Sequence, residues 1–360
     1  MFSYYNNTIL NLNGEFLVFK SISILVIENK EAQTGKKGYI LIDVIKAGIC
    51  GSDIHYWVSG APKGLVMGHE FSGIVIDNGG SKNFKEGDRV TALPISPCLK
   101  CKECKEGNEQ ICSQTWAQAI GLTTETPGGF GGRVLVREDM VRHLPDNVTY
   151  ESGAMVEPAA VALRAANISG IRKGDKVLVI GGGIIGLLTA LFLKLKGASY
   201  VALTETNEAR GSKAVKLGVA DEWFNALDPK LSEKLFAKTG NGFDVVVDCC
   251  GNSPAVSSGI IFAKPNGNLI LVGISLGNVS VPLVAGVMKE INIKGSIAYK
   301  PAEFDTVIKL LADKKINLEK FIDDVVTLDD IQGAFERLTS GLDDAVKILV
   351  DPNKSKIINI

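Results

Sequence analysis

The chain has 360 residues, 46% of them hydrophobic and 22% charged, with a formal net charge of −1. That length exceeds one ordinary core and implies two domains, and the charge balance carries no basic excess for nucleic acid or an anionic membrane surface. Apolar runs such as "ISILVIE" (Ile22–Glu28) are strand-sized and cannot span a bilayer, and the first residues lack the basic and apolar regions of a signal peptide. A cytoplasmic protein is expected.

From residue 15 to about 145 the pattern is mostly β. "YILIDVI" (Tyr39–Ile45) and "SGIVIDN" (Ser72–Asn78) are short apolar runs between Gly-rich turns, "NFKEGDRVTAL" reads as a turn entering a strand, and no long stretch of period 3.6 precedes Glu151. From Ala154 the texture changes. "GAMVEPAAVALRAAN" predicts a helix, "KVLVIG" a buried strand and "IIGLLTALFLKLKG" a helix. "YVALTE", "FDVVVDCCG" and "GNLILVGI" follow as strands, with the helix "EARGSKAVKLG" between the first two. Strands alternating with helices predict βαβ units and a parallel sheet. After "NIKGSIAY" come two helical patterns, "PAEFDTVIKLLADKK" and "LDDIQGAFERLTSG", and a last strand, "DAVKILVD". This tail cannot close a sheet alone and is expected to return to the N-terminal part. The expectation is an α/β protein of two folds: a β-rich domain over 1–155, a doubly wound parallel-sheet domain over 156–295, and a return over 296–360.

"VLVIGGGIIGLL" contains Gly181-x-Gly183-x-x-Gly186. The motif is weak alone but gains meaning after a strand and at the start of a helix. Gly181 allows the turn, Gly183 lets backbone approach a pyrophosphate, and Gly186 allows close helix–strand packing, while the helix N-terminus, opening at Ile184 and Ile185, offers unpaired N–H groups to phosphate. Glu205 stands at the end of the next strand, where a carboxylate accepts from ribose hydroxyls and repels a 2′-phosphate. This favours NAD over NADP, although Arg210, five residues on, is placed to reach either the adenine or a 2′-phosphate. Val272 and Gly273, at the end of "NLILVG", complete the expected cofactor set. Cys249 and Cys250 read as core or cofactor-lining.

Cys98, Cys101, Cys104 and Cys112 form C-x2-C-x2-C-x7-C. Clustered thiols in a reducing compartment point to a metal rather than disulfides. Four thiolates close a tetrahedral zinc site and leave no position for substrate, so this site is structural; an iron–sulfur cluster is the rival. The chemistry must then lie elsewhere. Cys50 in "GICGSDIHYW" and His69 in "VMGHEFSG" are suitable zinc donors, with Glu70 following directly and Glu157 in "MVEPAA". Three protein ligands and one open position make a catalytic zinc site. Any one of these residues alone would read as ordinary core; together, beside a nucleotide motif, they do not.

Over about Gly38–Pro352 these motifs resemble the zinc-containing medium-chain dehydrogenase family. "GICGSDIHYW" looks most like sorbitol (polyol) dehydrogenases, "KGSIAYKPAEF" and "LTETNEAR" like 2,3-butanediol dehydrogenases, and "VEPAAVAL" is similar to both. The resemblance implies a GroES-like domain, a Rossmann domain and an active site in the cleft between them. It implies catalytic zinc on Cys50, His69 and an acid. In polyol dehydrogenases that acid is the position of Glu70, with Glu157 beside the metal or exchanging with it. Other alcohol dehydrogenases carry a cysteine at that later position, so its absence here points to the polyol and diol branch. Ser52 and His55 match the family's proton relay, and Tyr299 a position that often lines the substrate pocket. Two zinc ions per chain, NAD, a small alcohol substrate and a homo-oligomer (tetramer or dimer) are implied. The chain departs from the family before Gly38, where the usual opening strand and Pro-rich connector are replaced.

The expected reaction is oxidation of a secondary alcohol in a polyol or vicinal diol. Zinc acts as a Lewis acid, Ser52, a ribose hydroxyl and His55 carry the proton out, and the nicotinamide takes the hydride. Threonine, an aminocyclitol or a sugar phosphate are alternative substrates. A non-enzymatic binding protein on this fold would be free to lose some of the site residues, and a zinc-free quinone reductase would not need them.

Overall fold

A computed structural model describes Leu25, residues 33–275 and residues 277–354. The strand-sized run Ile22–Glu28 lies outside the described residues apart from Leu25, whose N–H donates to Gln332 Oε1 at 3.0 Å. The chain divides into two compact units. The first takes the described residues up to Met155, with Ile322–Ser340 and those from Lys347 onward; the second is Val156–Phe321 with Gly341–Val346. The sequence placed the return of the chain at 296, whereas residues 296–321 stay in the second unit.

The first unit is built on strands β1 (Tyr39–Gly48), β2 (Glu70–Asp77), β3 (Arg89–Ala92), β4 (Arg133–Arg137) and β5 (Val141–His143), with helices α1 (Gly51–Ser59), α2 (Lys102–Lys105) and α3 (Tyr150–Ala154). The second holds α4 (Val156–Ile168), β6 (Lys176–Ile180), α5 (Ile184–Leu195), β7 (Tyr200–Glu205), α6 (Glu208–Lys216), β8 (Glu222–Asn225), α7 (Leu231–Thr239), β9 (Phe243–Asp248), α8 (Ser253–Phe262), β10 (Ala263–Leu271), α9 (Leu283–Met288), β11 (Asn292–Gly295) and α10 (Pro301–Ala312). The chain then returns to the first unit through β12 (Asp324–Thr327), α11 (Ile331–Ser340) and β13 (Ile348–Asp351).

Among the described residues the first sheet runs β12-β13-β1-β2-β3-β5, with β4 also paired to β1. Pairing is antiparallel except between β12 and β13. The return expected of the tail is thus a strand insertion: β13 takes the edge of β1, with Ala47 opposite Val350 and Gly48 opposite Leu349. On its other side β1 sets Gly48 opposite Glu70, the first residue of β2. Helix α1 was not predicted as a helix. Asp53 is its one buried residue, so no apolar stripe marks it, and its role is to carry polar groups.

The second sheet is parallel throughout, in the order β11-β10-β9-β6-β7-β8. Numbered within the sheet this is 3-2-1-4-5-6 read from β8, the doubly wound order whose ligand crevice lies at the carboxyl ends of its first and fourth strands. The continuous apolar runs follow from burial on both faces. Val177, Leu178, Val179, Val201, Leu203, Val245, Val246 and Val247 are all fully buried, each stabilising by about 1.5–3 kcal/mol relative to exposure.

Candidate metal centres and nucleotide site

In the first unit, Cys50 ends the turn after β1, His69 precedes β2, and Glu70 opens it. The thiol sulfur, an imidazole nitrogen and a carboxylate oxygen of these three residues lie within 4.8 Å of one another. A mixed soft and hard set at that spacing fits zinc, whose N, S and O donors sit about 2.0–2.3 Å from the ion. His69 Nδ1 faces Asp53 Oδ1 at 3.6 Å, leaving Nε2 for the metal, and Ser52 Oγ lies 3.5 Å from that nitrogen.

Asp53 was not singled out in the sequence. It is fully buried at the third position of α1, and its Oδ2 accepts from the Cys50 N–H at 2.9 Å. One carboxylate thus fixes the backbone of Cys50 and faces the ring of His69, an arrangement that would orient and strengthen His69 as a metal donor. Burial opposes charge on His69, but the Cys50 sulfur and Asp53 outweigh it and hold the imidazole pKa well above its ordinary value. Without metal this site favours an imidazolium; a metal ion displaces that proton. The signal for Asp53 was available: an acid three residues after Cys50 is a helix-start pattern.

Glu157 lies in the second unit, as the second residue of α4, and is buried; the converging group of ligand atoms is Cys50, His69 and Glu70. His55 sits three residues beyond Ser52 on α1 with its side chain exposed, while Ser52 is half-buried. Tyr299 is fully buried in the second unit with its ring centroid 5.6 Å from that of Phe304.

The four loop cysteines also converge, with sulfurs within 4.8 Å of one another. Backbone N–H groups point at them: Cys101 N to Cys98 Sγ at 3.3 Å, Cys98 N to Cys112 Sγ at 3.5 Å and Gln114 N to Cys112 Sγ at 3.4 Å. Leu99 takes a positive φ of 59° to turn the loop. Hydrogen bonds from the backbone of Cys98 lower the Cys112 thiol to about 6, and those from Lys100 and Cys101 lower Cys98. Cys101 receives a hydrogen bond from Cys104 that favours its thiolate, yet desolvation and the neighbouring Glu103 push it up to about 12. Desolvation also raises Cys104. Four sulfurs with N–H groups aimed at them fit a closed tetrahedral zinc site.

In the second unit the glycine motif joins β6 to α5. Gly181 has φ +103°, open to glycine, and Gly183 caps α5 with its Cβ position in open space. A Cβ on Gly186 would sit 1.9 Å from the Gly181 carbonyl oxygen. Ile184 and Ile185 form the half-buried first residues of α5. Glu205 ends β7 with its carboxylate held by the backbone: Oε2 accepts from Gly182 N at 2.6 Å, and Oε1 from Thr206 N at 2.7 Å and Asn207 N at 3.0 Å. The acid is therefore fixed against the glycine loop. The Arg210 N–H donates to the Asn207 cap at the start of α6. Val272 N and Gly273 N both donate to Asp248 O, at 2.9 and 3.0 Å, and bring the end of β10 against the Cys250–Gly251 turn.

Residues 36–146 match the alcohol dehydrogenase GroES-like domain and residues 185–313 the zinc-binding dehydrogenase domain. A probable D-xylulose reductase A of Aspergillus fumigatus is 32% identical over 313 residues, covering 84% of this chain and 87% of that protein. The crystal structure of 2R,3R-butanediol dehydrogenase from Bacillus subtilis has a TM-score of 0.82 at 32% identity, covering 91% of this chain and 96% of the other. A putative zinc-binding dehydrogenase from Sinorhizobium meliloti, solved with NADP bound, has a TM-score of 0.82 at 27% identity over 92% of this chain and 97% of that one. The two domain matches, the parallel sheet in its doubly wound order and the paired ligand sets agree: the chain belongs to the zinc-binding medium-chain alcohol dehydrogenase family, an oxidoreductase family using NAD(P).

Proposed function

We propose that the chain oxidises one secondary hydroxyl of a polyol or vicinal diol to the ketone, reversibly, with NAD as hydride acceptor. The observation that carries the reading is the convergence of Cys50, His69 and Glu70 beside Ser52, in a chain similar to a D-xylulose reductase and a butanediol dehydrogenase. Cys50, His69 and Glu70 hold the catalytic zinc and the four-cysteine loop a second, structural one. When bound, zinc supplies Lewis acidity toward the alcohol oxygen and NAD accepts the hydride. Ser52 takes the hydroxyl proton, and His55, one turn along α1 and exposed, passes it to water. Asp53 keeps the His69 ring aimed at the metal. The backbone-held Glu205 supports NAD, because a 2′-phosphate would meet a fixed carboxylate.

Thiols used as a ligand set support a cytoplasmic setting. Self-association is supported by the outer edge of β11, the last strand of its sheet, and by Leu283, Val284, Val287 and Met288 on and near α9, which are 62%, 75%, 66% and 80% exposed. The test is zinc per chain on purified protein, paired with NAD reduction over diols, polyols and threonine. Two zinc ions and turnover on one diol or polyol class are expected. A single zinc with no turnover overturns the catalytic reading, and turnover on threonine alone overturns the substrate class.

A further inference from the structure

We propose that Lys347 is a positioning residue of the catalytic metal centre, holding Glu70 so that one carboxylate oxygen is committed to the lysine and the other is left for the metal. The inference rests on the assignment of Cys50, His69 and Glu70 as metal ligands.

Lys347 directly precedes β13 and is completely buried. An ammonium group so placed needs compensation from its surroundings. It makes an ion pair with Glu70 Oε2 and donates to the Ile49 carbonyl at 2.8 Å. Glu70 is itself 1% exposed. Ile49 is the residue before Cys50, so a single ammonium grips one ligand directly and the backbone next to another. The lysine cannot drift, because its own N–H donates to Asp323 Oδ2 at 3.0 Å and its carbonyl accepts from Asp323 N at 2.8 Å.

Space for this contact is built into β1. Gly48 stands opposite Glu70, and a Cβ there would lie 2.1 Å from Glu70 Oε2. Glycine at this position lets the carboxylate lie across β1 to reach the lysine. Two consequences follow for the metal. The carboxylate is fixed as a one-oxygen donor. The negative charge of a thiolate–carboxylate ligand set is also offset by one buried positive charge within the same sheet, which tunes how tightly and how long the ion is held.

The experiment uses the full-length zinc-loaded protein and three variants: Lys347→Met, Lys347→Arg and Gly48→Ala, the last displacing the carboxylate while leaving both charges in place. Zinc loss to a chromophoric chelator is followed over time, with zinc in the four-cysteine loop as the internal reference, and the visible bands of cobalt(II) substituted at the catalytic site are recorded. Lys347→Met and Gly48→Ala are expected to speed loss of the catalytic zinc by about 10–100-fold and to shift the cobalt bands, with the loop zinc unaffected. Lys347→Arg restores most of the retention. In a Glu70→Gln background, Lys347→Met should add less than twofold, because the lysine acts through that carboxylate. Unchanged zinc loss and cobalt bands in folded Lys347→Met and Gly48→Ala proteins, or in folded Gly48→Ala alone where Lys347→Met does not fold, whatever their melting temperatures, would make the pair purely structural and overturn the proposal alone. A parent protein holding zinc only in the cysteine loop overturns this inference and the metal-ligand assignment together.

Discussion

Replacing Gly186 with alanine tests how the nucleotide loop is held. The added methyl would sit 1.9 Å from the Gly181 carbonyl oxygen and 3.1 Å from its carbon. Ordinary contact begins near 3.4 Å, so α5 and the loop must separate by about 1.5 Å. Neither side yields freely. Gly181 N donates to Thr204 O at 2.8 Å and Gly182 N to Glu205 at 2.6 Å, while Leu187, Leu188, Ala190 and Leu193 hold α5 in place by full burial. Overpacking of this kind costs about 1–3 kcal/mol. Whatever part is relieved by moving the loop away from its binding geometry must be restored when the pyrophosphate docks. Since about 1.4 kcal/mol is a factor of ten, NADH binding should weaken by up to about 100-fold. The remainder should appear as a lower melting temperature, at about 2–4 °C per kcal/mol. Fluorescence titration with NADH and a thermal melt measure the two parts, with zinc content as the control that should not move. A Kd within twofold of the parent together with an unchanged melt would refute the reasoning.

Asp53→Asn keeps an acceptor for the Cys50 N–H but removes the charge facing His69. Competition with a chelator should show the catalytic site's zinc affinity reduced about 10–100-fold, with the loop zinc unaffected; affinity within twofold of the parent would mean Asp53 serves the helix start alone. At the cysteine loop, Cys101, pushed up to about 12, and Cys104, also raised, carry protons at neutral pH in the metal-free state, while Cys112, lowered to about 6, is already mostly thiolate. Zinc must displace at least two protons, so affinity should rise with pH by about a hundredfold per unit near pH 7. Competition titrations at two pH values measure the slope, and a slope under tenfold per unit contradicts the loop chemistry.

The parallel sheet was legible because its strands are buried on both faces and read as unbroken apolar runs, and the glycine motif because a strand, a turn and a helix fall in register around Gly181, Gly183 and Gly186. The clustering of the four loop cysteines was legible because they are local, within fifteen residues. The cluster of Cys50, His69 and Glu70 was half legible. Cys50, His69 and Glu70 stand in recognisable surroundings, but their convergence depends on the pairing of β1 with β2, which residue spacing does not express. Helix α1 was missed because it buries one acid rather than an apolar stripe. Lys347 was passed over as an ordinary strand residue; a lysine inside "DAVKILVD" is the kind of charge in an apolar run that asks for a buried partner. That partner, Glu70, is 277 positions away, and no local pattern reaches so far.

The insertion of β13 beside β1 has a consequence for how the protein is made. On the ribosome, β1 emerges some 300 residues before its partner strand β13, with the whole second unit synthesised in between. Until then the end of β1 at Ala47 and Gly48, beyond the stretch paired with β4, stays open on that edge, which exposes a nascent chain to wrong pairing. The second unit is built mostly from neighbouring βαβ contacts and can form meanwhile. Maturation of the first unit is therefore tied to synthesis of Lys347–Asp351, and a chain released before Lys347 leaves its sheet unfinished beside Cys50 and Glu70.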